Sequence, residues 1–96
     1  MKLLFLSYAG ATPERIADRL DVEGVPGHTR IDHTHGHGLT GPREGNRAWP
    51  GEVTVFVAVV PAAMVLRVTE ALRREAEALP EGERLHVAVM PVEQFF

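Results

Sequence analysis

The run Glu52 to Val60 (E-V-T-V-F-V-A-V-V) constrains the fold of this chain more than any other stretch. β-Branched and aromatic residues fit the pleated surface of a sheet, and Pro61, which has no N–H to offer a ladder, closes the run. A strand with one wet face alternates apolar and polar side chains. Val53 to Val60 does not, and neither does Leu3 to Leu6 near the start of the chain. A sheet built on these two strands is apolar on both faces, and a chain of 96 residues has little with which to cover both.

The remaining segments supply the other elements. Lys2 to Tyr8 reads as a strand bounded by Ala9-Gly10. Thr12-Pro13-Glu14 gives a hydroxyl cap, a proline at the first helical position and an acid, so a helix is expected from there. Ile16, Ala17 and Leu20 fall at helical spacing, and Gly24 stops the helix. After the turn at Val25-Pro26-Gly27, Thr29 to His35 alternates, which places Ile31, His33 and His35 on one face and Arg30, Asp32 and Thr34 on the other. A second helix follows Pro61, with Val65, Val68, Leu72, Ala76 and Leu79 as its apolar stripe and Arg73, Arg74, Glu75 and Glu77 read as a solvated face. Pro80-Glu81-Gly82 ends it, and Arg84 to Met90 is the last strand. The order β-α-β-β-α-β predicts an α+β fold, a ferredoxin-like sandwich with an antiparallel sheet and two helices on one face, in one domain spanning residues 1–96.

Two helices cover one face only. Leaving Leu, Val and Phe in water forgoes roughly 1.5–3 kcal/mol each, so the second face is expected to be covered by other copies of the chain. The formal charge of −3 gives no basic field for nucleic acid, and the absence of cysteine excludes disulfides and thiolate metal sites. Met1 to Leu6 is too short for a signal h-region or a membrane span, so a cytoplasmic protein is expected.

The polar segment from Gly27 to Gly51 carries four of the five histidines. Its second part, residues 36–51, reads as a long loop between the second and third strands, longer than the usual connection and so a functional candidate. His33, His35 and His37 alternate along one strand edge. Imidazoles in that pattern suit zinc, copper, nickel or cobalt, so they are candidate metal ligands; the alternative is a set of solvated or hydrogen-bonded histidines. Gly36-His37-Gly38-Leu39-Thr40-Gly41 fits G-x-G-x-x-G, yet leads into Pro42, Arg43 and Glu44 rather than a helix, which excludes a dinucleotide fold. Glycine-rich backbone there can still form an anion nest helped by Arg43 or Arg47. Trp49 reads as a packing anchor for the loop base or a docking residue. Phe95-Phe96 reads as an oligomer contact or a disordered end. No nucleophile–base pair is legible, so an enzyme is not expected.

Gly24-Val25-Pro26-Gly27-His28-Thr29, followed by Gly36-His37-Gly38, resembles the G-(I/V)-x-G-x-T…G-x-G segment of PII-type nitrogen-regulatory signalling proteins. Val59-Val60-Pro61 before a long helix, then Arg84 to Val89, is similar to that family's second half. The resemblance implies a trimer with the sheets facing inward, small-molecule sites in the clefts between subunits, and a loop at 36–51 that changes shape and docks on a protein partner. By motif, Thr29, Gly36, His37 and Gly38 would border a nucleotide or anion site. Arg84 stands where the family's G-D-G-K has its lysine, the chain reading Glu81-Gly82-Glu83-Arg84 here. The loop has no tyrosine to accept a uridylyl group, no basic tail follows the last strand, and Gly27 to Gly36 is about one residue longer than the usual spacing. The expected function is a PII-like regulatory protein whose effector is an adenine nucleotide, an anion or a divalent transition metal. The alternative is a divalent-metal-binding protein similar to the trimeric CutA family, using His33, His35 and His37.

Overall fold

The computed structural model describes residues 1–38, 41–42 and 52–96. In chain order the elements are β1 (Lys2–Ala9), α1 (Glu14–Val22), β2 (Thr29–His35), the two-residue strands β3 (His37–Gly38) and β4 (Gly41–Pro42), β5 (Glu52–Val60), a 3-10 turn (Ala62–Met64), α2 (Val65–Glu77) and β6 (Arg84–Pro91). The main sheet has the order β2-β5-β1-β6 with every neighbour antiparallel, and the two helices pack on one face. This is the ferredoxin-like α+β sandwich. Among the described residues β3 and β4 pair with each other alone, inside the stretch expected to be loop.

Alternation decides which side chains the helices cover. Leu4, Leu6 and Tyr8 of β1, and Phe56 and Val60 of β5, lie fully buried against Ile16 and Leu20 of α1 and Val68 and Leu72 of α2. Each contributes on the order of 1.5–3 kcal/mol by leaving water. The intervening residues form the opposite face. Thr29, Val57, Phe5 and Ala88 sit side by side in register across all four strands, with Val59, Leu3 and Met90 beside them. Both faces are apolar, as the sequence requires, and only one has helices on it.

α1 starts differently from the expectation. The residue preceding it is Pro13 with no side-chain cap, so the Thr12 hydroxyl does not serve as one; instead Thr12 N–H donates to the Tyr8 hydroxyl at 3.1 Å. Its C-terminus follows the glycine rule. Gly24 has φ 78°, and Val25 N–H returns to Leu20 O at 3.0 Å, which lets Val25 drop into the core.

Two readings are corrected. Glu75 is not on a solvated face: its side chain is 12% exposed and bridges the helices, accepting from Arg15 Nε at 2.7 Å and Arg19 Nη2 at 2.9 Å. Burial pushes its carboxyl up, but the two guanidiniums outweigh that and hold it below the usual carboxylate range. The second correction concerns β2. Ile31 pairs with Val55 and Thr34 with Val53, so Asp32 and His33 together face the single residue Thr54. This is a β-bulge, and His33 takes φ 59° to make it. Beyond it Thr34 occupies the face of Ile31, while His35 pairs with Glu52 on the other. Ile31, His33 and His35 therefore do not share a face.

Candidate functional site

The residues singled out by sequence lie at opposite ends of the sheet. At one end β2 begins, and Pro26, Gly27 and Thr29 meet Val57 and Val59 of β5 around an open cleft of about 410 Å³, closed by Met1 and Phe95. The volume is within the range of small-molecule sites. Gly27 matters here for what it lacks: a Cβ built on it would meet nothing within 4 Å, so its bare backbone opens onto free space. Among the described residues, none of the side chains lining the cleft is charged. A second hollow of about 370 Å³, between α2 and β6, is lined by residues such as Leu72, Leu85 and Val87 and contains none of the expected site residues.

The other end holds the roots of the long loop. Gly36 follows β2 directly, and His33 Nδ1 lies 2.7 Å from Glu52 Oε2, so the residues flanking the loop are tied together. Thr34 Oγ1 donates to Val53 O beneath them. Arg30, on the helix side of β2, pairs with Asp32 at 2.8 Å and with Glu14 of α1 at 3.3 Å. Its guanidinium is thereby raised above its ordinary value, chiefly by the Asp32 hydrogen bond.

Arg84 starts β6 at this same end, exposed and opposite Ala9. The turn that carries it is fixed from below. Tyr8, fully buried, donates its hydroxyl to Glu83 Oε1 at 2.7 Å while accepting from Thr12 N–H. Burial, and then the Glu83 hydrogen bond, push the phenol up from 10.0 to about 12. Gly10 allows this arrangement, since a Cβ there would lie 2.1 Å from the Tyr8 hydroxyl oxygen. Sequence reading passed over Tyr8, Gly10 and Glu83; the small-residue stop after β1 was the one local sign of a close approach.

One chain does not bring Thr29 and Arg84 together. Thr29 shares a register row with Ala88, three strands away, and Arg84 lies four residues further along β6. At about 4.8 Å per strand and 3.3 Å per residue, the separation is on the order of 20 Å. The backbones of His37 and Gly38 form β3, while Arg43 and Arg47 lie outside the described residues, as does the side chain of His37. Among the described residues no three His, Asp or Glu side chains gather as metal ligands. His33 and Glu52 make a pair, short of the set a zinc or copper ion needs, and the expected triad would depend on His37.

No protein-family model and no curated protein sequence matches this chain. Solved structures do. CPII, a nitrogen regulatory PII-like protein from Thiomonas intermedia K12 bound to ADP, AMP and bicarbonate, superposes with a TM-score of 0.70 at 27% identity over 97% of this chain and 88% of that one. Its apo form gives 0.65 at 25% identity, over 95% and 89%. A DUF3240 family protein from Shewanella baltica OS155 gives 0.72 at 22% identity, over 99% and 93%, a likeness of fold. The extra residue between Gly27 and Gly36 has a structural counterpart: the bulge at Asp32-His33 absorbs one residue without changing how the rest of β2 pairs with β5.

Proposed function

Since this chain is a divergent PII-like protein, we propose that it is a non-enzymatic sensor of a small ligand, working as a trimer of single-domain subunits in the cytoplasm. The observation that carries the proposal is the cleft at Gly27 and Thr29, two residues matched by the family motif that the fold places on one hollow with Val57 and Val59. The ligand proposed for it is an adenine nucleotide, with an anion such as bicarbonate as a second effector; CPII was solved with ADP, AMP and bicarbonate.

The roughly 20 Å between Thr29 and Arg84 is too far for one small ligand to touch both within a single chain. If both residues serve one ligand, they come from different copies, Thr29 and its cleft from one subunit and Arg84 with the loop roots from its neighbour. The bare sheet face supplies the reason to associate. Loop 36–51, with Arg43 and Arg47, would then report occupancy to a protein partner, because its two roots lie at the same end of the sheet as Arg84.

Native mass spectrometry combined with thermal-shift titration tests this. The expected result is a trimer whose melting temperature rises with ADP or AMP and rises further with bicarbonate. A monomer with no response to any of the three would end the proposal.

A further inference from the structure

The cleft beside Thr29 has one wall that no motif accounts for. β6 ends at Pro91, opposite Lys2, and Val92 N–H then donates to Met1 O at 3.3 Å. From there the chain crosses the end of β1 and brings Phe95 to a cleft otherwise made by β5 and the approach to β2. Phe95 lines this cleft and yet keeps 63% of its surface exposed. An exposed phenylalanine is ordinary by itself. One that lines a hollow whose described side chains are uncharged, with the Thr29 hydroxyl among them, puts an aromatic ring within reach of a flat ligand.

We propose that Phe95 is a ligand-positioning residue, stacking on the heteroaromatic ring of the bound ligand and making the cleft selective for a flat, uncharged ring system. The inference rests on the ligand-sensing reading above and deepens it by assigning the part of the ligand this cleft reads. The chemistry follows from the lining. Aromatic faces attract one another in offset stacks, and base-on-aromatic stacking is tolerant of which base is present. With no lysine or arginine among the described residues lining the cleft, the ring rather than the phosphate is the part of the ligand assigned to it.

Isothermal titration of the full chain with adenosine and with ADP tests the assignment. Phe95→Ala is expected to weaken both by about tenfold or more and by the same factor, because the lost contact is to the ring they share. Phe95→Trp should keep both. Since Phe95 is mostly exposed, these variants fold. Gly27→Leu is the companion: Gly27 lines the cleft and has room for a side chain, so an added leucine should weaken both ligands. Unchanged affinity in Phe95→Ala while Gly27→Leu weakens binding would overturn the role of Phe95 and leave the sensor reading standing. A loss confined to ADP would also overturn it. Absence of binding to the unmodified chain would remove the sensor reading and this inference together.

Discussion

The two faces of the sheet carry much the same side chains and have different surroundings. Leu4 and Leu6 are fully buried, while Phe5 between them is 39% exposed; Phe56 is fully buried, while Ile31 and Met90 on the other side are 46% and 42% exposed. Hydropathy does not separate these residues. What separates them is that α1 and α2 lie over one set, and among the described residues no helix lies over the other. The covered face accounts for why the chain folds. The bare face is the one that the trimer proposed above would cover.

The largest expected effect tests that division directly. Phe56→Ala empties a fully buried site and should cost about 3–5 kcal/mol, enough to unfold a marginal domain. Phe5→Ala, one strand away on the bare face, should cost the isolated subunit well under half of that. Phe5→Asp should leave the subunit folded and dissociate the oligomer. Urea denaturation at low protein concentration, with native mass spectrometry alongside, measures both. Equal costs for Phe56→Ala and Phe5→Ala in a monomer would erase the distinction between the faces.

A smaller effect sharpens it. Tyr8 lies on the covered face and carries a hydroxyl there, which only its two hydrogen bonds make tolerable. Its pKa is raised from 10.0 to about 12 in the folded chain. A raised value means that the folded state holds the proton more tightly than the unfolded one. The stability it contributes is therefore fully present below pH 10 and is lost as pH rises through 12, amounting to roughly 2–3 kcal/mol. Tyr8→Phe should remove that alkaline loss, and at neutral pH should cost about 1–3 kcal/mol by leaving Glu83 and the Thr12 N–H unpartnered. Thermal melts from pH 7 to 12 check both. An alkaline limb that survives in Tyr8→Phe would mean another group governs it.

These comparisons also show what sequence could and could not reach. Strand and helix order was legible because period-2 and period-3.6 patterns are local, and so was the double-sided grease of β1 and β5. Glu75 misled because it lies among Arg73, Arg74 and Glu77 in sequence, while its partners Arg15 and Arg19 are on the other helix. The cleft was half legible: Thr29 follows from the motif, but Phe95 is 66 positions away and reaches it by folding back at Val92. The histidine alternation was fully legible and still wrong about faces, since register belongs to two strands and cannot be read from one. The readings of Arg43, Arg47 and Trp49 fall outside the described residues.

The smallest effect lies where β2 exchanges its faces. His33 has φ 59°, a left-handed conformation that costs a non-glycine residue about 1–2 kcal/mol, and it persists because the pairings on either side of it fix the bulge. Its contact with Glu52 is exposed and worth little, at most about 0.5–1 kcal/mol. Replacing His33 by alanine or by glycine loses that contact equally, but only glycine accepts the conformation without strain. His33→Gly should therefore be more stable than His33→Ala by about 1 kcal/mol, the reverse of the usual order within a strand. Chemical denaturation of the two variants measures the difference. If alanine proved equal or better, His33 would not hold the left-handed position, and without the bulge Thr34 would leave the face of Ile31 and His33 would take its place, as simple alternation predicts.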